Sequence, residues 1–298
     1  MAQTDIHIVV TFDDRYWAPA FALMRSVCLF TFRRKDLVFH LFHRTISDPH
    51  RQALDRIATE FGARLVYYDI DRNAAFTSIA ARARYNKRLS NIVYARILFA
   101  QLLPADVSRL LYLDCDMLVR VPIERLTEMD MAGYPLAAVP DYIGAQIMTR
   151  KSLKDPRGIF DAAMRYFNAG LLLIDMDKLR GLDILGQFEA AIDSGLLDKI
   201  YYDQDFLNIA FRDNWLELDR FWNLLDPRQS HEVLNPSILH YTGNRKPWLY
   251  KPKVAFARLY RHVMTNEVYY AYMLERAPAW QRPFIRLVER ANLRTGAQ

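Results

Sequence analysis

The first 70 residues of the chain alternate between short apolar runs and longer amphipathic stretches. Runs rich in β-branched and aromatic residues at 5–13, 37–44 and 63–70 predict three buried strands. The stretches between them, Tyr16–Phe30 and Ser47–Phe61, repeat apolar residues at helical spacing and predict two helices. A strand, helix, strand, helix, strand order indicates an α/β fold with a parallel sheet.

The pattern beyond residue 70 extends this sheet. Residues 72–88 are polar and basic, and they predict an exposed crossing segment. Because the first glycine is Gly62, no glycine-rich loop follows the first strand, which excludes the dinucleotide-binding fingerprint and the P-loop. Further helices are predicted at 91–103, 177–193 and 203–211, and further strands at 109–119, 136–141, 170–176, 214–219 and 237–242.

Composition places the chain among ordinary globular proteins, because 52% of its 298 residues are hydrophobic and 25% are charged. Two cysteines, Cys28 and Cys115, cannot form a disulfide framework and favour a reducing compartment. Residues 1–12 lack the basic start of a secretory signal, and no apolar run reaches the roughly 18 residues of a spanning helix. We therefore expect a soluble, cytoplasmic protein.

Two carboxylates directly follow the apolar run before residue 114. Asp114 and Asp116 are one residue apart, so on an extended chain both side chains face the same side, and Cys115 faces the core. At the carboxyl end of a buried strand they can share a hard divalent ion such as Mg²⁺ or Mn²⁺. The alternative is a pair of solvated loop aspartates, and the preceding apolar run favours the metal site.

A second group of candidate residues follows the apolar run that ends at His240. An imidazole ligand favours Mn²⁺ over Mg²⁺, and Gly243 with Lys246 resembles a phosphate-binding segment, although a core histidine and a surface lysine are the alternative. Asp203 and Asn168 are two further candidate site residues. The alternative role is helix capping for Asp203 and turn formation for Asn168.

Six motifs in one order carry a family resemblance: Asp13 after the first strand, YAR at 94–96, LYLDCD at 111–116, YFNAGLLLIDM at 166–176, DQDFLN at 203–208 and HYTGNRKPW at 240–248. Over residues 5–250 the chain resembles the retaining nucleotide-sugar transferases of glycosyltransferase family 8, of the bacterial lipopolysaccharide galactosyl- and glucosyltransferase type. The resemblance implies a GT-A fold with a single mixed, mostly parallel sheet flanked by helices, and a catalytic domain at residues 1–248. It implies a UDP-hexose donor, Mn²⁺ with Mg²⁺ as the alternative, and a saccharide or lipid-linked saccharide acceptor.

The resemblance also assigns roles to individual residues. It implies three metal ligands, two diphosphate contacts, a uridine-binding group and a donor-sugar pocket, and Cys115 lies between two of the ligands without a catalytic role. Arg15 and the pair Asn244-Arg245 depart from the usual family residues and add positive charge near the diphosphate. In the order of those roles, the residues are Asp114, Asp116 and His240; Gly243 and Lys246; Thr11, Phe12, Asp13 and Tyr16; and Arg96, Asp141, Asn168, Ala169, Asp203 and Gln204.

Two other functions compete with this interpretation. A sugar-phosphate nucleotidyltransferase normally needs a glycine-rich basic loop after the first strand, which this chain lacks. A non-catalytic, membrane-associated module that binds a sugar nucleotide is disfavoured by the intact set of metal-ligand candidates. Within the transferase hypothesis, the amide of Gln204 is a poor nucleophile, so retention is expected by a front-face route rather than by double displacement.

The C-terminal residues 249–298 form a basic helical extension in this prediction. Residues 245–298 carry eleven Lys and Arg against three Asp and Glu, which indicates an anionic partner. No recognised nucleic-acid-binding motif is present, so we expect an anionic membrane surface or a helix docked on the domain. The predicted helix has a basic face at Arg282, Arg286, Arg290 and Arg294, and an apolar face at Phe284, Leu287, Val288 and Ala291.

Overall fold

A computed structural model describes residues 5–83, 90–142, 144, 159–160, 164–200 and 202–295. The strands are β1 (Ile6–Phe12), β2 (Leu37–His43), β3 (Arg64–Asp69), β4 (Arg109–Leu113), β5 (Met117–Val119), β6 (Leu136–Pro140), β7 (Phe167–Asp175), β8 (Leu216–Glu217), β9 (Leu224–Leu225) and β10 (Ile238–His240). The α-helices are α1 (Trp17–Phe30), α2 (Asp48–Phe61), α3 (Ala74–Arg82), α4 (Phe99–Leu102), α5 (Glu124–Thr127), α6 (Met176–Arg180), α7 (Ile184–Asp193), α8 (Tyr202–Ala210), α9 (Ala257–Met264), α10 (Asn266–Arg276) and α11 (Arg282–Thr295).

The central sheet has seven strands in the order β3-β2-β1-β4-β7-β6-β8. Strand β7 runs antiparallel to both of its neighbours, and the other four pairings are parallel. This confirms the predicted α/β fold with a mixed, mainly parallel sheet. Successive residues of β1 alternate between two cores, with Ile8 and Val10 on the α1 side and Val9 on the other, so the strand is buried on both faces.

A second sheet of three strands, in the order β5-β10-β9, was not expected from the sequence. The predicted strand at 109–119 is two strands, because the chain leaves the central sheet at Asp114 and pairs again from Met117 with β10. Strand β10 runs antiparallel to β5, and the register places His240 opposite Met117. This second sheet therefore carries His240 to the end of β4.

Three local predictions were wrong in detail. The segment predicted to cross the surface at 72–88 contains α3, whose Phe76 and Ile79 pack into the core, and residues 84–89 lie outside the description. The predicted helix at 91–103 is a 3-10 helix over Asn91–Leu98 followed by α4. The predicted helix at 177–193 is divided into α6 and α7, because Asp183 takes a left-handed conformation and caps α7.

The C-terminal helices differ in how they pack. Val263 of α9 and Tyr272 of α10 are buried in the same core as α1, whereas α11 contacts α10 and leaves most of its surface exposed. Among the described residues, no helix is both long and apolar enough to cross a membrane. The proposed division of the chain at residue 248 stays a prediction.

Candidate active site

A cavity of about 260 Å³ opens where β1 and β4 end, at the carboxyl edge of their part of the sheet. Such edges are where α/β proteins place their ligands. Most of the residues that the sequence singled out line this cavity, together with Arg15, Tyr112, Gly170 and Tyr202. The predicted residues in its wall are Thr11, Phe12, Asp13, Tyr16, Arg96, Asp114, Cys115, Asp116, Ala169, Asp203 and Gln204.

Asp114 and Asp116 in the cavity wall, with His240 and Lys246 in contact with these carboxylates, are called the metal side here. One ligand atom from each of the first three lies within 4.8 Å of the others. His240 Nε2 is 3.1 Å from Asp116 Oδ1 and 3.6 Å from Asp114 Oδ2. The expected side-chain directions are confirmed, since Cys115 is buried and its thiol donates to the carbonyl of Thr11.

Each carboxylate on the metal side uses one oxygen for protein contacts and presents the other. Asp114 Oδ1 accepts hydrogen bonds from Tyr112 and Arg96, which leaves Oδ2 toward His240. Asp116 Oδ2 accepts from Lys246 Nζ at 2.5 Å, which leaves Oδ1 toward His240. Burial opposes the charged form of Asp116, yet His240 and Lys246 hold the pKa of this carboxyl well below its usual range.

His240 is oriented by a residue that the sequence did not single out. The buried Asn223 places Oδ1 3.1 Å from Nδ1 of His240; when the neutral ring donates from Nδ1 to this oxygen, the lone pair is on Nε2, the nitrogen that faces the two carboxylates. Asn223 in turn donates to Asn168 Oδ1. The only local signal for Asn223 was a polar residue within an apolar stretch. These donors fit a divalent ion bound by two oxygens and one imidazole nitrogen.

Gly170 leaves the space that this arrangement needs. A Cβ atom there would lie 2.3 Å from His240 Cε1 and 2.7 Å from Asp114 Oδ2. Gly170 and Asn168 belong to the long strand β7, so no turn separates them from the strand, although Asn168 Oδ1 does accept from the backbone N–H of Gly170, as it would in such a turn. The glycine is required here for a close approach of side chains.

The two predicted diphosphate contacts differ in position. Lys246 Nζ is anchored by Asp116 and by the carbonyl of Tyr241 at the metal side. Gly243 is exposed with φ +68°; like Lys246 it is absent from the described lining of the cavity, but among the described residues it makes no hydrogen bond with the metal side. The structure therefore brings Lys246 to the site and leaves Gly243 at its margin.

Arg96 connects the metal side with the start of α8. Its guanidinium donates to Asp114 Oδ1 and to the carbonyl of Ala169, and its Nε lies 2.7 Å from Asp203 Oδ2. Burial raises the pKa of Asp203 to about 6, against the opposing effect of Arg96. Asp203 therefore pairs with Arg96, and a hydrogen bond from its own backbone N–H also acts on its carboxylate.

Gln204 lies in the cavity wall and belongs to a hydrogen-bond network with Asp141, Tyr166 and Asn168, which is called the sugar side here. Gln204 Oε1 accepts from Asn168 Nδ2 and the backbone N–H of Ala169. Gln204 Nε2 donates to Asp141 Oδ2 at 3.3 Å and to Tyr166 Oη at 3.1 Å. The amide of Gln204 thus has both donors and both acceptor positions occupied.

The predicted uridine-binding residues form the third wall. Asp13 caps the 3-10 turn Asp14–Tyr16 by accepting from the backbone N–H of Arg15, and its carboxylate pairs with the Arg15 guanidinium at 2.7 Å. The Tyr16 ring meets Trp248 edge to face. Arg15, which departs from the usual family residue, therefore lies directly on a predicted nucleotide contact.

Comparison with known proteins agrees with this geometry. The model of glycosyl transferase family 8 matches residues 7–251. The chain belongs to glycosyltransferase family 8. It is therefore a glycosyltransferase, in a family that uses UDP-sugar donors and a divalent metal. This membership decides against the nucleotidyltransferase alternative.

Individual relatives are distant. The chain is 26% identical over 280 residues to general stress protein A of Bacillus subtilis, covering 87% of this chain and 93% of the relative. It is 27% identical over 272 residues to glycosyltransferase GlyA of Streptococcus pneumoniae, covering 86% of this chain but 34% of GlyA. Galactosyltransferase LgtC, solved with donor and acceptor sugar analogues, superimposes with a TM-score of 0.73 at 23% identity, covering 93% of this chain and 99% of LgtC. The last likeness establishes the shared GT-A fold.

Proposed function

We propose that this glycosyltransferase moves a hexose, glucose or galactose, from a UDP-sugar to an oligosaccharide or lipopolysaccharide-type acceptor, with retention and with dependence on Mn²⁺. The observation that carries the proposal is the convergence of Asp114, Asp116 and His240, whose two carboxylates line the cavity. Lys246 joins this group through its hydrogen bond to Asp116. A divalent ion bound there would supply positive charge to the departing diphosphate. The imidazole ligand favours Mn²⁺ over Mg²⁺.

The protein's own charges continue the stabilisation of the leaving group. Cleavage of the sugar–phosphate bond leaves negative charge on UDP, and the ammonium of Lys246 is held next to the place where that charge develops. We assign the uridine to the wall formed by Thr11, Phe12, Asp13 and Tyr16, with Cys115 beneath it. No separate general acid is required when the leaving group is stabilised as an anion.

The donor sugar is assigned to the wall between Arg96 and the sugar side. Asp203 and Gln204 lie in the cavity wall, and Asp141 and Asn168 hold Gln204 through hydrogen bonds. Because all hydrogen-bonding positions of Gln204 are occupied, its amide is better suited to positioning the sugar than to attacking it. We therefore propose a front-face route, in which the acceptor hydroxyl attacks on the side that UDP leaves and a departing phosphate oxygen takes its proton.

A screen of UDP-sugars tests the proposed reaction. Purified protein is incubated with each UDP-hexose, with MnCl₂, MgCl₂ or chelator, and with or without oligosaccharide acceptors, and released UDP is measured. We expect UDP release from UDP-glucose or UDP-galactose that needs Mn²⁺ and rises with acceptor. Equal release in chelator would contradict metal dependence, and product with inverted anomeric configuration would contradict retention.

We further propose that residues 249–298 are a C-terminal extension whose last helix attaches the enzyme to the inner face of the membrane, where a lipid-linked saccharide acceptor would be available. The exposed fractions of Trp280, Phe284, Leu287 and Val288 lie between 51% and 70%. A helix docked through this face would have covered them. Arg282, Arg286 and Arg290 are also exposed, and Arg294 lies outside the described side chains. Such a basic and apolar helix suits an anionic leaflet.

Vesicle sedimentation tests this attachment. Changing the four arginines 282, 286, 290 and 294 to Gln should release the protein from anionic vesicles, because each basic residue contributes about 1 kcal/mol near such a surface. Binding by the natural chain should weaken at high salt, and UDP release with a soluble acceptor should stay the same. Equal binding by both proteins would contradict the proposal, and a lower melting temperature of the variant would favour a docked helix.

A further inference from the structure

A polar cluster lies behind the turn that forms the uridine-side wall. In the turn Asp14–Tyr16, Arg15 and Tyr16 line the cavity, and Asp14 is absent from its described lining. Asp14 Oδ1 instead accepts from the backbone N–H of Ser47 and lies 2.6 Å from Nδ1 of His50, close to the start of α2. The turn is thus tied to α2 on its far side.

The same histidine reaches the C-terminal helices. His50 Nε2 lies 2.9 Å from Glu275 Oε1 on α10, and the ring stacks on Trp17 with 4.5 Å between centroids. The Trp17 indole N–H donates to the other oxygen of Glu275. A parallel tie comes from Tyr272, whose hydroxyl donates to the carbonyl of Arg15. We call Asp14, Trp17, His50 and Glu275 the clasp.

The clasp needs a charged imidazole ring. A neutral imidazole has one N–H, so it can donate to only one of two carboxylates, whereas the protonated ring donates to both. The charged groups placed against the ring are Asp14 from the turn and Glu275 from α10, and α1 contributes the neutral indole of Trp17. Although burial opposes its charge, hydrogen bonds to Asp14 and Glu275 raise the pKa of His50 above 6.5.

We propose that His50 is a positioning residue that fixes the nucleotide-facing turn between α2 and α10, so that affinity for the donor falls as rising pH removes its second proton. The proposal rests on the proposed function only for the identity of the donor. None of the four clasp residues is in the described lining of the cavity, so the effect of the clasp should fall on donor binding rather than on the chemical step. Its loss would remove one tie on the backbone that carries Arg15 and Tyr16, while the hydrogen bond from Tyr272 to the Arg15 carbonyl remains.

Kinetics of His50→Gln provide the first test, because both donors of glutamine are on one nitrogen and cannot replace the two ring nitrogens that face separate carboxylates, and because glutamine does not titrate. We expect the KM for the UDP-sugar to rise about threefold to tenfold with kcat within about twofold. The natural enzyme's KM should climb across roughly pH 6 to 9, and the variant's should stay flat across that range. Glu275→Gln should have a similar effect, and the double variant should add little. His262→Gln, at an exposed histidine on α9, is the matched control.

Hydrogen exchange gives a second measurement that needs no donor. Amides of residues 14–17 should exchange faster in His50→Gln than in the natural chain or in His262→Gln, and MnCl₂ with UDP should restore part of the protection. Unchanged exchange together with an unchanged KM would overturn the proposal. A fall in the kcat of His50→Gln as large as the rise in its KM would also overturn it. Faster exchange in a chain that turns over no UDP-sugar would overturn the proposed function and leave the clasp standing.

Discussion

The metal side and the sugar side face one cavity but use opposite kinds of polar chemistry. On the metal side, Asp114 and Asp116 each keep one oxygen directed at His240 while protein cations hold the other. On the sugar side, the amide of Gln204 has its donors and acceptors occupied within the protein. The first arrangement leaves ligand atoms available for an ion, and the second presents an amide whose hydrogen bonds are already made within the protein.

This difference predicts how each side responds to mutation. A carboxylate that serves as a metal ligand contributes little to catalysis until the cation binds. Its loss removes the bound positive charge on which the reaction depends. A member of a satisfied network shares its role with its neighbours, so its loss loosens geometry without removing the chemistry. Arg96 contacts Asp114 on the metal side and Asp203, the residue before Gln204, and therefore lies between the two sides.

The largest expected effect comes from Asp116→Asn. Losing one ligand charge should lower Mn²⁺-dependent turnover by about 10³-fold or more, because several kcal/mol of charge stabilisation are removed. The fold should persist, and far-UV circular dichroism checks this. Asp177→Asn, at an exposed carboxylate on α6, is the matched control. Near-normal UDP release by Asp116→Asn would show that the metal side is misassigned.

Gly170→Ala should have the next largest effect, although it changes no charge. The new methyl group would displace His240 or Asp114, so Mn²⁺ affinity should fall roughly 10- to 100-fold, as when the support of a metal ligand is lost. Titration of Mn²⁺ followed by electron paramagnetic resonance measures this. Gly181→Ala, at ordinary φ and with its nearest contact at 3.4 Å, should bind Mn²⁺ normally. Unchanged affinity in Gly170→Ala would argue against this ligand set.

Gln204→Ala should slow transfer by roughly 10- to 100-fold without abolishing it, because only positioning is lost. Its Mn²⁺ affinity should match that of the natural chain, which separates the two sides. The measurement is kcat with the best UDP-hexose, alongside the Mn²⁺ titration. Complete inactivity with a glycosyl adduct trapped on the natural protein would replace the front-face route with double displacement.

Asp203→Asn should change the pH dependence of stability. The pKa of Asp203 is raised from 3.8 to about 6 in the folded chain, so its contribution to stability is complete below 3.8 and is lost as pH rises through 6. The difference in unfolding free energy, natural chain minus variant, should fall by about 3 kcal/mol between roughly pH 3 and pH 7. Denaturant titration across this range measures it, and a constant difference would refute the raised pKa.

The sequence by itself determined the α/β core and the pair Asp114 and Asp116, because side-chain alternation along an extended chain is a local property. Tyr112, two residues before Asp114, could have been added by the same alternation, since its hydroxyl donates to that carboxylate. The motif order also carried the family resemblance that the family match confirms. These inferences depend on neighbours along the chain.

Only the tertiary structure decided which distant residues support them. Asn223 orients His240, Gly170 makes room for its ring, and His50 joins the uridine-side turn to α10. Each of these contacts joins residues from separate segments of the chain, so no rule based on sequence spacing predicts it. The second sheet also depends on distant residues, because β5 pairs with β10, more than one hundred residues later in the chain. The register of that pairing is set by which side chains become buried on each side of the turn at residues 114–116.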